Sequence, residues 1–466
     1  MTTETIADSA QPARATGIKD MQSEQIAKAT LYLGDCLQVL RAMPDNSVDS
    51  VVTDPPYGLY FMGKKWDYDV PDVAVWVEVL RVLKPGGHLL SFAGTRTQHR
   101  MACRIEDAGF EIRDMIAWVY GSGFPKSLDL SKAIDKAAGA VREVVDRRVN
   151  SVGFDTTRQG GGGWTSGKVD ITTPATPAAQ QWQGWGTALK PALEPITMAR
   201  KPFACTVADN VLQHGTGALN IDASRIASQG EENPSIARRI SAGVSGKCGM
   251  DMASNQRTKE GASTYNRDTD RYVNGHPNES LGRWPANLIH DGSAEVAAVF
   301  PLTAPGTSSM RGEKTSNNTH DGWARESHKG FDSIRGHTDN AGSAARFFYN
   351  AKTSSDDRNE GLEMFRKIDS GCYAQDDFSK KNMGMRTLKQ NHHPTVKPTD
   401  LMHYLIRLVT PPGGIALDPY MGSGSTGKAA ALGDFRFIGI ERDPSYFAIA
   451  CARLKHASAQ GHLFGA

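Results

Sequence analysis

The chain has 466 residues, 39% hydrophobic and 22% charged, with a formal net charge of +2. That length suggests two or three domains, and that balance allows a packed core. No apolar run is long enough to cross a bilayer, no secretory leader is visible, and the charge is too small to argue by itself for a nucleic-acid partner.

Residues 1–28 are polar, without a convincing period, and read as a flexible N-terminal tail. Residues 29–120 then alternate in the manner of an α/β domain. TLYLGD (30–35) is a short strand, and SVDSVVTDPPYG (47–58) is a strand running into a Pro-Pro loop. Apolar spacing predicts a helix over 71–87 that stops at Pro-Gly-Gly. HLLSFAG (88–94) is a buried strand, 96–109 a helix and 110–121 another strand. Strands separated by helices imply parallel pairing with right-handed crossovers. Residues 121–340 differ: Gly, Ser, Thr, Asn and Pro are frequent, and RQGGGGWTSG (158–167) is close to low complexity. A connector this long is unusual, so the stretch reads as a recognition region carried by the α/β core. Within it a helix is expected over 291–299. ARFFYNAK (345–352), at its end, is strand-like. From 395 onward the α/β pattern returns: helix 399–414, strand 415–420, a Gly turn and helix over 422–433, strand 435–441 and a helix over 444–457.

The six cysteines, Cys36, Cys103, Cys205, Cys248, Cys372 and Cys451, form no CxxC pair. That fits a reduced, cytoplasmic protein without a disulfide framework or zinc knuckle, and no metal site is expected.

Two loops carry chemistry. GSGSTGKA (422–429) misses the phosphate-binding pattern GxxxxGK[ST] by one residue, because Ala429 has no hydroxyl for Mg²⁺. The competing reading is an adenosine pocket, with glycines that let the backbone approach the ligand and Glu441 closing the next strand to take the ribose hydroxyls. An ordinary packed turn is the third. TDPPYG (53–58) sits at the carboxyl end of a strand, where open α/β sheets hold ligands. Its prolines fix the backbone and remove two N–H donors. The Asp54 carboxylate and the Pro55 carbonyl remain as acceptors, and Tyr57 offers a flat face. Acceptors beside a stacking ring suit a planar group bearing an NH₂; a rigid turn capped by Asp is the plain alternative.

Taken together the loops resemble the amino-methyltransferases of DNA. DPPY (54–57) matches their catalytic motif, and DPYMGSG (418–424) their S-adenosylmethionine loop, with Tyr420 where Phe is usual. GDCLQVL (34–40) resembles the segment whose Asp, here Asp35, contacts the cofactor adenine. HPTVKP (393–398) resembles the His-Pro-Thr-x-Lys-Pro segment, which puts Thr395 and Lys397 beside the methionine end of the cofactor. Catalytic motif first and cofactor loop last is the permuted β order, and YGSGFPKS, TALKPALEPITMARKP, WPANLIHDG and FFYNAKTSSDDRNEG look like stretches of phage and prophage enzymes of this type. No cysteine follows a proline, unlike the nucleophile of 5-methylcytosine enzymes.

The resemblance implies a Rossmann-like α/β fold with circularly permuted motifs and a long irregular target-recognition insertion. The chain then divides into a tail (1–28), a catalytic half (29–120), the insertion (121–340) and a cofactor-binding half (341–466). The implied catalytic residues are Asp54, Pro55, Pro56 and Tyr57. The implied S-adenosylmethionine site is Asp35, Thr395, Lys397, Asp418, Tyr420, Gly422, Gly424, Ser425, Thr426 and Glu441. The implied reaction is methylation of the N6 amine of a flipped adenine in double-stranded DNA. N4-cytosine methylation is the near alternative, and a P-loop nucleotide hydrolase is the alternative of another class. A homodimer and a cognate restriction endonuclease belong to the implied partners. Lys428 becomes a solvated helix residue under this reading. Arg238, Arg239, Arg257, Lys259 and Arg267 are candidate DNA contacts, and Trp164, Trp182 and Trp185 anchor the insertion or stack on bases.

Overall fold

The computed structural model describes residues 18–59, 67–123, 127–155, 163–226, 283–303, 342–351, 354–365, 368–369 and 388–460. The chain divides into two compact units, one of Met1–Ala223, Asn287–Val296 and Asn350–Ala466, the other of Ser224–Ala286 and Ala297–Tyr349. The five candidate arginines and lysines at 238–267 lie outside the described residues.

From the N-terminus run β1 (Ser23–Ile26), β2 (Ala29–Leu33), α1 (Cys36–Ala42), β3 (Val48–Thr53), α2 (Val73–Val82), β4 (Leu83–Phe92), α3 (Gln98–Asp107) and β5 (Glu111–Val119). The middle adds α4 (Leu130–Ala137), β6 (Val144–Asp155), β7 (Gly163–Thr172), α5 (Pro177–Gln181), β8 (Leu193–Arg200), α6 (Val207–His214), β9 (Leu288–His290) and α7 (Ala294–Ala297). Short strands β10 (Leu302–Thr303), β11 (Gly342–Ser343) and β12 (Tyr349–Asn350) follow. The chain ends with α8 (Ser355–Asn359), β13 (Ile368–Asp369), β14 (Leu388–Lys389), α9 (Thr399–Val409), β15 (Ile415–Asp418), α10 (Ser425–Leu432), β16 (Arg436–Glu441) and α11 (Pro444–Gln460).

Ten strands share one sheet, in the order β1-β2-β16-β15-β3-β4-β8-β5-β9-β12. From β2 through β4 neighbours pair in parallel, as the alternation of strands and helices predicts. Two differences stand out. Residues 18–26, read as the end of a polar tail, form a 3-10 turn and the edge strand β1, antiparallel to β2. Residues 193–200, read as part of an irregular insertion, form β8, which lies antiparallel between β4 and β5. Pro195 to Ala199 are all buried, so both faces of the strand are covered, and packing supplies the order that periodicity in the sequence did not announce. The rest of 127–190 includes the antiparallel β6–β7 ladder. ARFFYNAK, read as strand-like, is a 3-10 turn over Ala344–Phe347 followed by β12.

Local chemistry explains the element ends near the sheet centre. Asp35 accepts a hydrogen bond from the Gln38 N–H and caps α1; Asp72 does the same for α2 through the Ala74 N–H. Helix α2 buries Val75, Trp76, Val79 and Val82 against a core that includes Val51, Leu89, Met101 and Ile105. Every residue of β3 is buried. Two polar staples bind β3 to the C-terminal part of the chain: Asp49 accepts from the Ile415 N–H at 2.7 Å, and the Ser50 and Thr410 hydroxyls meet at 2.7 Å.

In the second unit, Ile226 and Arg283 form an isolated bridge, and β10 pairs with β11. The Arg283 guanidinium lies over the Phe347 ring at 3.9 Å.

Candidate active site

The topology reverses between β3 and β15. From β3 the chain crosses to β4 on one side; from β15 it crosses to β16 on the other. The carboxyl ends of such a pair open a crevice. Here the crevice is a cavity of about 590 Å³, lined by both sequence-predicted loops and by Asp35, His393, Thr395 and Lys397. That volume suits a nucleoside-sized ligand.

The two loops are tied directly. Asp418 ends β15 and accepts from the Thr53 hydroxyl of β3 at 2.7 Å, and also from the Thr426 hydroxyl and the Tyr420 N–H. Burial pushes the Asp418 carboxyl up to about 6 against the pull of those donors.

On the N-terminal side, Asp54 accepts from the Tyr57 hydroxyl through Oδ1 and from Lys397 Nζ through Oδ2, each at 2.6 Å. Lys397 is buried, and its ammonium also reaches Glu194 at 3.2 Å and the Tyr57 oxygen at 3.2 Å. Its three donors are thereby used. Lys397, which the motif resemblance puts beside the methionine end of a cofactor, lines the cavity, and its ammonium lies between two carboxylates, where a buried charge finds partners. Burial raises the Asp54 carboxyl above its ordinary value, Lys397 opposes that, and Glu194 adds to it. Burial, Asp54 and Glu194 together hold the Tyr57 phenol well above its usual range. Lys397 is raised, because the two carboxylates outweigh its desolvation.

Asp67 builds the turn after the motif. Its carboxylate accepts from the backbone N–H groups of Tyr57, Gly58 and Leu59 at 2.7, 2.9 and 3.2 Å. The Thr97 hydroxyl donates to the Tyr57 carbonyl at 2.6 Å. Neither Asp67 nor Glu194 stands out in the sequence. Glu194 arrives on an unpredicted strand, and Asp67 is one Asp among several in WDYDVPD; three orphan N–H groups just after two prolines were its only signal.

On the C-terminal side, Glu441 ends β16. Its Oε2 accepts from the Gly422 N–H at 2.9 Å and its Oε1 from the Asp443 N–H at 2.7 Å. Burial raises its carboxyl, and those N–H groups oppose the rise. A carboxylate has about four acceptor positions, so Glu441 keeps room for a ligand diol. Gly422 and Gly424 have φ of +54° and +78°, a region that favours glycine. Gly422 lines the cavity, but a Cβ there would meet the His393 ring at 2.7 Å. A Cβ on Gly424 would meet Ala450 and Leu454 at 2.9 Å, so this glycine serves helix packing. Tyr420, Ser425 and Thr426 line the cavity, and Tyr420 hydrogen-bonds Cys36. His393 is held neutral at about 3 by burial, with Arg358 and Lys397 adding to the effect.

Lys428 is not solvated. Its side chain is 3% exposed and forms ion pairs with Asp357 at 2.8 Å and Glu360 at 2.5 Å. It does not line the cavity. Trp182 and Trp185 pack edge to face at 5.0 Å and are exposed.

The model of the N6/N4 family, described as DNA methylase, matches residues 48–138 and 258–452, more than half of the chain. The type II methyltransferase M.HindIII of Haemophilus influenzae is 25% identical over 241 residues, covering 41% of this chain and 64% of that one. M.BamHI of Bacillus amyloliquefaciens is 38% identical over 73 residues, 13% of this chain and 16% of that one. Among solved structures, the PvuII DNA methyltransferase (cytosine-N4-specific) aligns over 92% of this chain and 87% of its own, at 13% identity and a TM-score of 0.38. The chain thus spans less than two thirds of the curated relatives' length. By the extent of the family match, the chain belongs to the N6/N4 DNA methylase family.

Proposed function

We propose that this chain transfers a methyl group from S-adenosylmethionine to the N6 amine of an adenine in double-stranded DNA. One observation carries the reading: a single cavity joins the Asp54–Tyr57 acceptors to the Glu441 and Gly422 loop. The residues present fit the cofactor. Glu441, with acceptor positions to spare, suits the ribose hydroxyls, and Leu37, Val75 and Ile440 give an apolar wall for an adenine ring. Asp35 and Thr395 line the same space. When bound, the cofactor supplies an electrophilic methyl group on a sulfonium.

The rest is done by the protein. The base has to leave the duplex, at a cost of a few kcal/mol, to reach Asp54. Tyr57 offers its ring as a stacking face. Asp54 and the Pro55 carbonyl accept the two amine hydrogens, which draws the amine lone pair out of conjugation with the ring. Asp54 and Pro55 would present the amine lone pair to the bound cofactor, whose sulfonium would give up its methyl group and leave as a neutral thioether, so no covalent enzyme intermediate is required; Asp54 or water would take the proton that the amine sheds. Position and preorganised acceptors supply the acceleration. Asp in front of Pro-Pro-Tyr favours adenine over cytosine in enzymes that this chain resembles. Ala429 and the ion-paired Lys428 speak against the nucleotide hydrolase.

The test is methylation of mixed-sequence duplex DNA, read by nucleoside mass spectrometry. N6-methyladenine is expected; N4-methylcytosine, or no product, would overturn the assignment. Asp54→Ala should lower transfer by at least about 100-fold while cofactor binding stays within about 3-fold of wild type. An active Asp54→Ala protein removes Asp54 from the mechanism.

A further inference from the structure

Glu194 enters the site from β8, and the chemistry just outlined does not use it. Its Oε2 lies 3.0 Å from the Tyr57 hydroxyl and 3.2 Å from Lys397 Nζ, and Tyr120 also hydrogen-bonds it. Those first two donors are the ones that occupy Asp54, one on each oxygen. Each oxygen of the carboxylate that has to receive a substrate amine therefore already takes one of the protein's own donors.

A hydroxyl carries one proton and can point it at only one acceptor. The Tyr57 hydroxyl lies within hydrogen-bond reach of both carboxylates, at 2.6 Å from Asp54 and 3.0 Å from Glu194. Turning it from one to the other requires a rotation about the C–O bond and little else. Charge neutralisation does not account for Glu194. The single charge on Lys397 is already matched by Asp54, and a second carboxylate, only 20% exposed, adds desolvation and like-charge repulsion. A group kept at that cost is better explained as a second acceptor.

We propose that Glu194 is a positioning residue: it takes the Tyr57 hydroxyl proton bond when substrate arrives, freeing Asp54 Oδ1 for the amine while Lys397 stays anchored between the two carboxylates. The inference rests on the methyl-transfer reading above.

The test compares single-turnover methylation of duplex DNA by wild type, Glu194→Leu, Glu194→Gln, Tyr57→Phe and Tyr57→Phe/Glu194→Leu, with S-adenosylmethionine affinity measured calorimetrically for each. Glu194→Leu should slow transfer by about 10- to 100-fold with cofactor affinity within about 3-fold of wild type. Glu194→Gln keeps the volume and one acceptor oxygen, should lose only about 3-fold, and guards against a folding failure in the Leu variant. In the Tyr57→Phe background there is no hydroxyl to turn, so Glu194→Leu should cost less than about 3-fold. The groups facing Asp54 are Lys397, Glu194, Tyr57 and Asp418. Loss of the Glu194 charge lowers the Asp54 carboxyl, so the acid limb of the rate profile should move to lower pH in both Glu194 variants. That movement reports the Glu194 charge; dependence of the Glu194→Leu cost on the Tyr57 hydroxyl is the readout that a structural role alone would not produce. Glu194→Leu at the wild-type rate, or an equal cost with and without the Tyr57 hydroxyl, overturns the proposal. An inactive wild-type chain overturns methyl transfer and this proposal together, whereas an active wild type matched by Glu194→Leu overturns only the role of Glu194.

Discussion

Asp54 works as an acceptor only when ionised, yet burial favours its neutral form. Its raised carboxyl sets a sign for the pH dependence: transfer should fail as pH drops through a value above the ordinary carboxylate range, and a rate profile in kcat/KM checks it. An acid limb at or below the ordinary aspartate value would contradict this desolvated site. Asp418 gives a separate test, on stability. Its folded value of about 6 exceeds the unfolded value, so its contribution is fully present below the unfolded pKa and is lost as pH rises through about 6. Wild type should therefore lose on the order of 3 kcal/mol against Asp418→Asn between pH 4 and 7, measured by denaturant unfolding at each pH. At this scale the sequence was readable where chemistry is compressed into a few letters. Asp54 to Tyr57 and Glu441 could be named because strand, turn and acid fall in one short run. Glu194 and Asp67 could not, since their partners lie at sequence separations of 137 and 10 residues and nothing local marks them.

Among the elements, the clearest departure is the α8–α10–α11 packing that swallows the supposed phosphate-loop lysine. Lys428 on α10 bonds Asp357 and Glu360 near α8, while Arg453 of α11, fully buried, donates to the Ser423 carbonyl in the cofactor-side loop. Burial raises the Asp357 carboxyl, but the Lys428 and Thr399 hydrogen bonds outweigh it and leave it below its usual value. Lys428→Met removes the buried ammonium that two carboxylates share, and should cost about 3 kcal/mol in denaturant unfolding; a loss under about 0.5 kcal/mol would mean that the ion pairs are not buried in solution. Periodicity could not foresee this, because a lysine in a Gly-rich turn looks the same whether it faces solvent or carboxylates. The helices α2, α3, α9 and α11 were legible, each carrying an apolar stripe with a Gly or Pro close to its end or, for α11, a Pro start; the helix expected over 71–87 nevertheless ends at Val82, and its Pro-Gly-Gly lies in β4. Strand β8 was hidden by its setting, a polar, proline-rich stretch whose order comes from two flanking strands rather than from its own composition.

For the molecule as a whole, ligand choice separates the two nucleotide readings. S-adenosylmethionine at about 100 times its Kd should add about 2.7 kcal/mol of stability and raise the melting temperature, while ATP should leave it unchanged. A shift with ATP alone would return the Gly-rich turn to a phosphate-binding role. The parallel half of the sheet was legible from alternation alone, whereas the order of its strands was not, since order depends on which distant segments meet. That order has a consequence for synthesis. Strand β3 pairs on one side with β4, made almost at once, and on the other with β15, which begins at Ile415. At 5–20 residues per second, the ribosome needs roughly 20–70 s to travel from one to the other. Through that interval the nascent chain carries a strand whose every residue is destined for burial, with one open hydrogen-bonding edge. Such an edge invites pairing with other chains, so the yield of folded protein should depend on translation speed and on chaperones that cover the edge until β15 emerges.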